Sequence, residues 1–260
     1  MTMANFGCNF LQQGLNGVYI TIEMRDMKVA QRIDQMITGM SSHGVTMNKT
    51  KVAHELEMFS QRHKSRFFIK RMREGVTNAN HIIAYLRELE ATKAFWPDFI
   101  IVDYLDIIQS ARKVDVSNMF LKDQYVSEEI RGIGFDYNAI MVSGSQLGKH
   151  ATDAINDGRK MHQGDVQGGS SKTNTSDLMI ATVKTDAMHE AGEYRFEFPK
   201  ARNSDAANKT VMMKWNKESL KISDYDAPEL TLKKKERTLE MADVVPGKKQ
   251  TLTVDDLLKP

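Results

Sequence analysis

One cysteine, Cys8, stands in 260 residues. No disulfide can close within the chain, which fits a reducing cytoplasm. No apolar run approaches the length of a bilayer-spanning helix, and the first residues lack a secretory signal pattern. Seven histidines lie scattered, with no His-Glu-x-x-His and no Cys-x-x-Cys, so no structural zinc is expected. A dominant charge is missing too. Against 36 Lys and Arg stand 34 Asp and Glu, so any contact with nucleic acid must be local. What remains is ample for a core: 41% of residues are hydrophobic, enough for one large domain or a domain with an appendage.

The strongest single signal is Phe99-Ile100-Ile101-Val102-Asp103-Tyr104-Leu105. A continuous apolar run of this length reads as a strand buried on both faces, as in a parallel sheet. Asp103 falls where that strand ends, and ligands of open α/β sheets bind just outside the carboxyl ends of the strands. Around it strands and helices alternate. Residues 3–13 read as a helix stopped by Gly14, and 17–23 as a strand closing on Glu23. Val29, Ile33, Met36, Ile37 and Met40 recur at helical spacing up to Gly39 or Gly44. A helix over 49–63, a strand over 66–70 and a helix beyond Thr77 follow. Leu121, Tyr125, Ile130 and Ile133 mark another helix, and 139–143 a third apolar strand leading to Gln146. Alternation of this kind predicts right-handed crossovers and an α/β fold with a mainly parallel sheet flanked by helices.

Over 149–177 the periodicity stops; a stretch this long without pattern is functional or mobile. Residues 178–183, 193–198 and 211–215 read as strands in hairpins, predicted to extend the sheet with antiparallel edge strands. The division expected is a folded domain over 1–224 and a disordered polar tail over 225–260, whose residues 254–258 form a small amphipathic end.

Glu23, Asp103 and Gln146 each follow an apolar run, so a parallel sheet would bring all three to one edge. Phosphoryl transfer needs such a set: a carboxylate that holds metal, another that orients or deprotonates water, and an amide that senses the terminal phosphate. Taken singly, each reads as an ordinary turn residue.

The segment 18–24 with the following Arg32-Ile33-Asp34, then 100–105, then Ser145-Gln146-Leu147-Gly148, resembles the RecA-like motor domain of the DnaB family of hexameric replicative DNA helicases. It looks most like the T-even-type phage branch, helped by Leu11-Gln12-Gln13-Gly14 leading into Val18-Tyr19-Ile20, and the resemblance runs over roughly residues 4–222. That resemblance implies ATP and Mg2+ as cofactors. It makes Glu23 the glutamate that activates water and Asp103 the metal-holding Walker B aspartate. Gln146 would couple the γ-phosphate to the DNA-binding loop. Lys200 and Arg202, after Pro199, would be the basic pair reaching across a subunit interface, Arg202 as an arginine finger. Gln167, Gly168, Gly169 and Lys172, within the stretch 163–172, would line the channel that tracks single-stranded DNA. Expected partners are single-stranded DNA, copies of the chain in a hexameric ring, and a primase, a helicase loader or an upstream helicase fragment. The setting would be the cytoplasm of an infected bacterial host.

One departure from the family pattern matters. No Gly-x-x-x-x-Gly-Lys-Ser/Thr occurs in the 260 residues. That loop supplies the amides and the lysine that cradle the β- and γ-phosphates. The expectation is that the chain is the C-terminal part of such a motor and hydrolyses ATP poorly by itself. Two alternatives stay open: a non-catalytic remnant that binds DNA or helicase rings, and a RecA-like recombinase ATPase.

Overall fold

A computed structural model describes residues 1–225 apart from 116, 149–150, 153–157 and 168. The tail expected over 225–260, its residues 254–258 included, thus lies outside the described residues except for Tyr225, and so does Gly168.

Four parallel strands form the first sheet, β1 (Gly17–Thr21), β2 (Phe67–Arg71), β3 (Phe99–Asp103) and β4 (Ile140–Ser143), in the order β2-β1-β3-β4. β1 and β3 are central, and only Asp103 among their residues escapes full burial. That is why both read as unbroken apolar runs: each face of the sheet carries a helical layer. Val18, Ile20, Ile22, Ile100 and Val102 pack toward α5 (Ala79–Lys93) and α6 (Met119–Asp136), through Ile82, Leu86, Leu89, Val126, Ile130 and Ile133. Tyr19, Phe99 and Ile101 face the other way. They meet Ala4, Cys8 and Leu11 of α1 (Thr2–Gln12) and Val29, Ile33 and Met36 of α2 (Asp26–Thr38), which α3 (Ser42–Met47) and α4 (Lys49–His63) follow in the chain. Burial among these groups pushes the Cys8 thiol up to about 12.

Local chemistry sets the ends. Gly39 takes the left-handed conformation, with φ 72°, and its N–H caps α2 at the Gln35 carbonyl. Asn78 and His81 cap each other's backbone N–H groups at the start of α5. Gly17 answers a different need: a Cβ there would lie 2.0 Å from the Phe99 ring. That ring is fully buried, with Phe10 and Phe67 packed on it at centroid distances of 5.0 and 5.9 Å. Gly17→Ala is therefore expected to destabilise the fold by about 1–3 kcal/mol through overpacking, measured as a lowered urea midpoint at unchanged m-value.

The antiparallel C-terminal strands form a sheet of their own instead of extending the parallel one. β5 (Leu178–Val183), β6 (Glu193–Ala201), β7 (Thr210–Trp215) and β8 (Ile222–Asp224) pair in chain order. The register of β5 on β6 shifts between Met179 and Ala181, an irregularity that bends and twists the strand locally, and pairing continues on both sides of it. Side chains bracket this sheet to the first layer. The buried Asn5 amide of α1 accepts from Ile222 N at 2.8 Å and donates to the Leu220 carbonyl at 3.0 Å. Gln35 of α2 donates to the Glu218 carbonyl at 2.9 Å. No described helix is long and apolar enough to cross a membrane.

Candidate nucleotide-handling site

Register places the three strand-end residues. Thr21 pairs with Asp103, so Glu23 lies two residues beyond the end of β1 and Asp103 at the end of β3. Val102 pairs with Ser143, so Gln146 lies three residues beyond the end of β4. β1, β3 and β4 are neighbours, and the carboxyl ends of parallel strands share one edge. Glu23, Asp103 and Gln146 are thus brought together there.

Asp103 is fixed from within the sheet. Tyr19 pairs with Ile101, so Asp103, two residues on, shares its face. The Tyr19 hydroxyl donates to Asp103 Oδ2 at 2.6 Å, and burial, followed by the Asp103 charge, raises the Tyr19 pKa far above the ordinary phenol value. Asp103 Oδ1 accepts no hydrogen bond from a described residue, and among the described residues no cluster of three or more His, Cys, Asp and Glu could hold a metal. One directed carboxylate suits Mg2+, which is usually bound through one or two carboxylates together with substrate phosphates rather than in an all-protein cage. Glu23 is exposed and lines a cavity of about 520 Å³ with Arg71, Arg73 and Glu74 from the end of β2.

Next along the edge, the Gln146 side-chain amide donates to the Tyr104 hydroxyl at 3.1 Å. Burial raises the Tyr104 pKa, and the Glu23 and Asp106 carboxylates add to the rise. The peptide between Asp103 and Tyr104 is cis. The Gln146 backbone N–H donates to Asp106 Oδ2 at 2.8 Å, and the Gln146 carbonyl accepts from Gln167 N at 2.9 Å. An antiparallel bridge between Leu147 and Val166 continues this link. The stretch without periodicity is therefore stitched to the end of β4, and it carries a turn of 3-10 helix at Gln163–Asp165 and a short helix at Ser170–Thr173.

Lys172 lies elsewhere than on an open channel surface. Its side chain is 5% exposed and its ammonium contacts Asp106, Asp123 Oδ2 at 3.0 Å and the Gln167 carbonyl at 2.8 Å. The buried Asp123 and the largely shielded Asp106 need a countercharge, and the Ser170–Thr173 turn brings Lys172 inward to supply it. In this arrangement its ammonium is turned inward to these groups. Gly169 has φ 56° and donates to the Val166 carbonyl at 2.8 Å; Gln167 is exposed.

Lys200 and Arg202 are not brought to the same edge as the other three. They lie at the end of β6 and just beyond it, and their charged ends rest on the 173–177 segment. Lys200 donates to the Thr173 carbonyl; Arg202 donates to the Asn174 carbonyl and pairs with Asp177 at 3.0 Å. Burial, then the Arg202 charge, holds the Lys200 ammonium below the ordinary lysine value. Arg131 shares Asp177 at 3.1 Å.

Sequence reasoning missed Tyr19, Tyr104, Asp106 and the arginines beside Glu23. Lys70-Arg71-Met72-Arg73 was legible as three cations in four residues, but only the β1–β2 pairing sets it against Glu23. Tyr104 and Asp106 adjoin Asp103 in sequence, and their polarity at a strand exit was the available signal.

Comparison with known proteins agrees with this architecture. The chain is 28% identical over 220 residues to the DnaB-like replicative helicase of Enterobacteria phage T4, covering 83% of this chain and 44% of that protein. It thus spans less than half the length of that relative. Among solved structures, a DnaB-like replicative helicase studied with its interactions with primase superposes with a TM-score of 0.66 at 14% identity, over 85% of this chain and 54% of that one. A second solved structure, described as an ATPase domain, gives 0.64 at 13% identity, over 85% of this chain and 80% of that one. These two likenesses speak for the fold alone. The family described as the DnaB-like helicase C terminal domain matches residues 2–224, and the chain belongs to it.

Proposed function

We propose that the chain is the motor portion of a phage replicative DNA helicase, coupling ATP hydrolysis to translocation on single-stranded DNA and to duplex unwinding. The observation that carries this reading is the placement of Glu23, Asp103 and Gln146 on three neighbouring strand ends, within a chain of this family. Glu23 would orient and deprotonate the attacking water. Asp103, held by Tyr19, would hold Mg2+, which neutralises charge on the β- and γ-phosphates when bound. Gln146 would sense the terminal phosphate and pass its state to the 163–172 stretch, to which it is joined through Gln167. Gln167, Gly168 and Gly169 would meet the DNA backbone, with Lys172 as the inward anchor of that loop. Arg202, with Lys200 beside it, would act on a neighbouring subunit's site in a hexameric ring; to do so it must leave Asp177. Single-stranded DNA and a primase or helicase loader complete the partners of this reading.

Such chemistry also requires a phosphate-cradling loop, and the 260 residues contain no Gly-x-x-x-x-Gly-Lys-Ser/Thr. Calorimetry with ATP and Mg2+ tests this directly. The chain alone is expected to bind ATP far more weakly than ~1 μM, and to show DNA-stimulated turnover once a segment carrying that loop is supplied. Micromolar binding by the chain alone would remove the need for the loop. No turnover after assembly with the loop would favour a non-catalytic remnant.

A further inference from the structure

We propose that Asp106 is a positioning residue: its carboxylate, held in place by buried Lys172, sets the backbone of Gln146 and so aims the amide that meets the terminal phosphate. The inference rests on the reading of Gln146 given above.

Two distant segments meet on this one side chain, and α6 holds the same turn through Lys172 and through the backbone. Asp106 lies in the 3-10 turn Leu105–Ile107, directly after the β3 exit that carries Asp103. Its Oδ1 accepts from Ser145 Oγ at 2.9 Å and its Oδ2 from Gln146 N at 2.8 Å, so it holds two consecutive residues beyond β4. Lys172, from the 163–172 stretch, contacts the same carboxylate and joins it to Asp123 on α6 at 3.0 Å. Its own backbone is fixed from a second side, since the Asp106 carbonyl accepts from Lys122 of α6 at 3.0 Å.

Burial makes this arrangement directional. The side chains of Lys172, Asp106 and Asp123 are 5%, 13% and 10% exposed, so their charges are little screened by water. Charge-assisted hydrogen bonds are roughly twice as strong as neutral ones, and the one received by Asp106 Oδ2 fixes a backbone N–H rather than a rotatable side chain. Gln146 is thereby left with its amide free to turn between Tyr104 and a ligand while its Cα stays put. The same carboxylate reports on the loop, because displacement of Lys172 would withdraw its countercharge. Asp106 is thus the physical joint between the strand-end residues and the stretch proposed to meet DNA.

The test uses Asp106→Ala in the full chain. Lys172 keeps Asp123 as its counter-ion in that variant, so the fold is expected to survive. Hydrogen exchange at the Gln146 backbone amide, followed by NMR, should accelerate about tenfold or more while amides within β4 keep their protection. Asp106→Asn, which retains one acceptor oxygen, should recover part of the protection, and it carries the same reading if the alanine variant does not fold. In the motor assembled with its phosphate-binding loop, Asp106→Ala should lower kcat about tenfold or more at unchanged KM for ATP. Unchanged exchange at Gln146 overturns the proposal, and so does faster exchange with unchanged kcat. If Gln146→Ala itself leaves kcat intact, the reading of Gln146 fails instead, which separates the two outcomes.

Discussion

In the proposed motor, Glu23→Gln is expected to stop nucleotide turnover while leaving the fold and the proposed ring intact. The substitution keeps size and hydrogen-bonding reach but removes the group that can accept a proton from water. General-base catalysis contributes on the order of 10²–10⁴-fold, so the residual rate should fall by that factor. Structural damage should be slight. Glu23 is exposed, lies beyond the last residue of β1, and forms no ion pair with a described residue. Surface changes of this kind usually stay within about 0.5 kcal/mol. Phosphate release and light scattering measured on the same preparation decide the matter. Turnover within a factor of two or so of the parent would remove Glu23 from the chemistry. Loss of the ring would instead assign it to assembly.

Lys172→Met should cost about 3–5 kcal/mol of stability, because it leaves the buried Asp123 and the largely shielded Asp106 carboxylates without their cation. Methionine replaces the aliphatic stem of lysine without the charge, so packing is largely kept and the loss is electrostatic. For a domain of this size the penalty corresponds to roughly a 10 °C drop in melting temperature. A channel-facing lysine would behave otherwise. Its removal would barely move the melting temperature and would lower the salt dependence of DNA binding by about one counterion. Thermal denaturation beside a salt titration of single-stranded DNA binding therefore separates the two roles. Adding Asp106→Asn and Asp123→Asn to Lys172→Met should return part of the lost stability, since the uncompensated charges disappear with it. No recovery would mean that the cost lies in packing rather than in charge.

Legibility followed the range of the interaction. Helices α1, α2, α5 and α6 and the four strands of the first sheet were readable, because the helices carry an apolar period, the strands an apolar run, and α1 and α2 a glycine just past their ends. Ser42–Met47, Asp186–Ala191 and Ile222–Asp224 were not, since elements of three to six residues hold too few apolar positions to show a period. The separateness of the second sheet was also hidden. Strand signals report that a segment pairs, not with which sheet, and long-range contacts from Asn5 and Gln35 hold the second sheet against α1 and α2.

By itself the sequence determined the parallel strands, the polar residue at the exit of each, and so the edge at which Glu23, Asp103 and Gln146 assemble. Apolar runs and their endpoints are local, one-dimensional features, and a parallel sheet converts shared endpoints into a shared edge. Only the tertiary structure decided what holds those residues: Tyr19 on Asp103, Asp106 under Gln146, Lys172 turned inward, Arg202 on Asp177. These contacts join residues 25 to 84 positions apart. Hydrogen bonds and ion pairs act over a few ångströms of space, and composition carries no record of which distant segments the fold will bring within that reach.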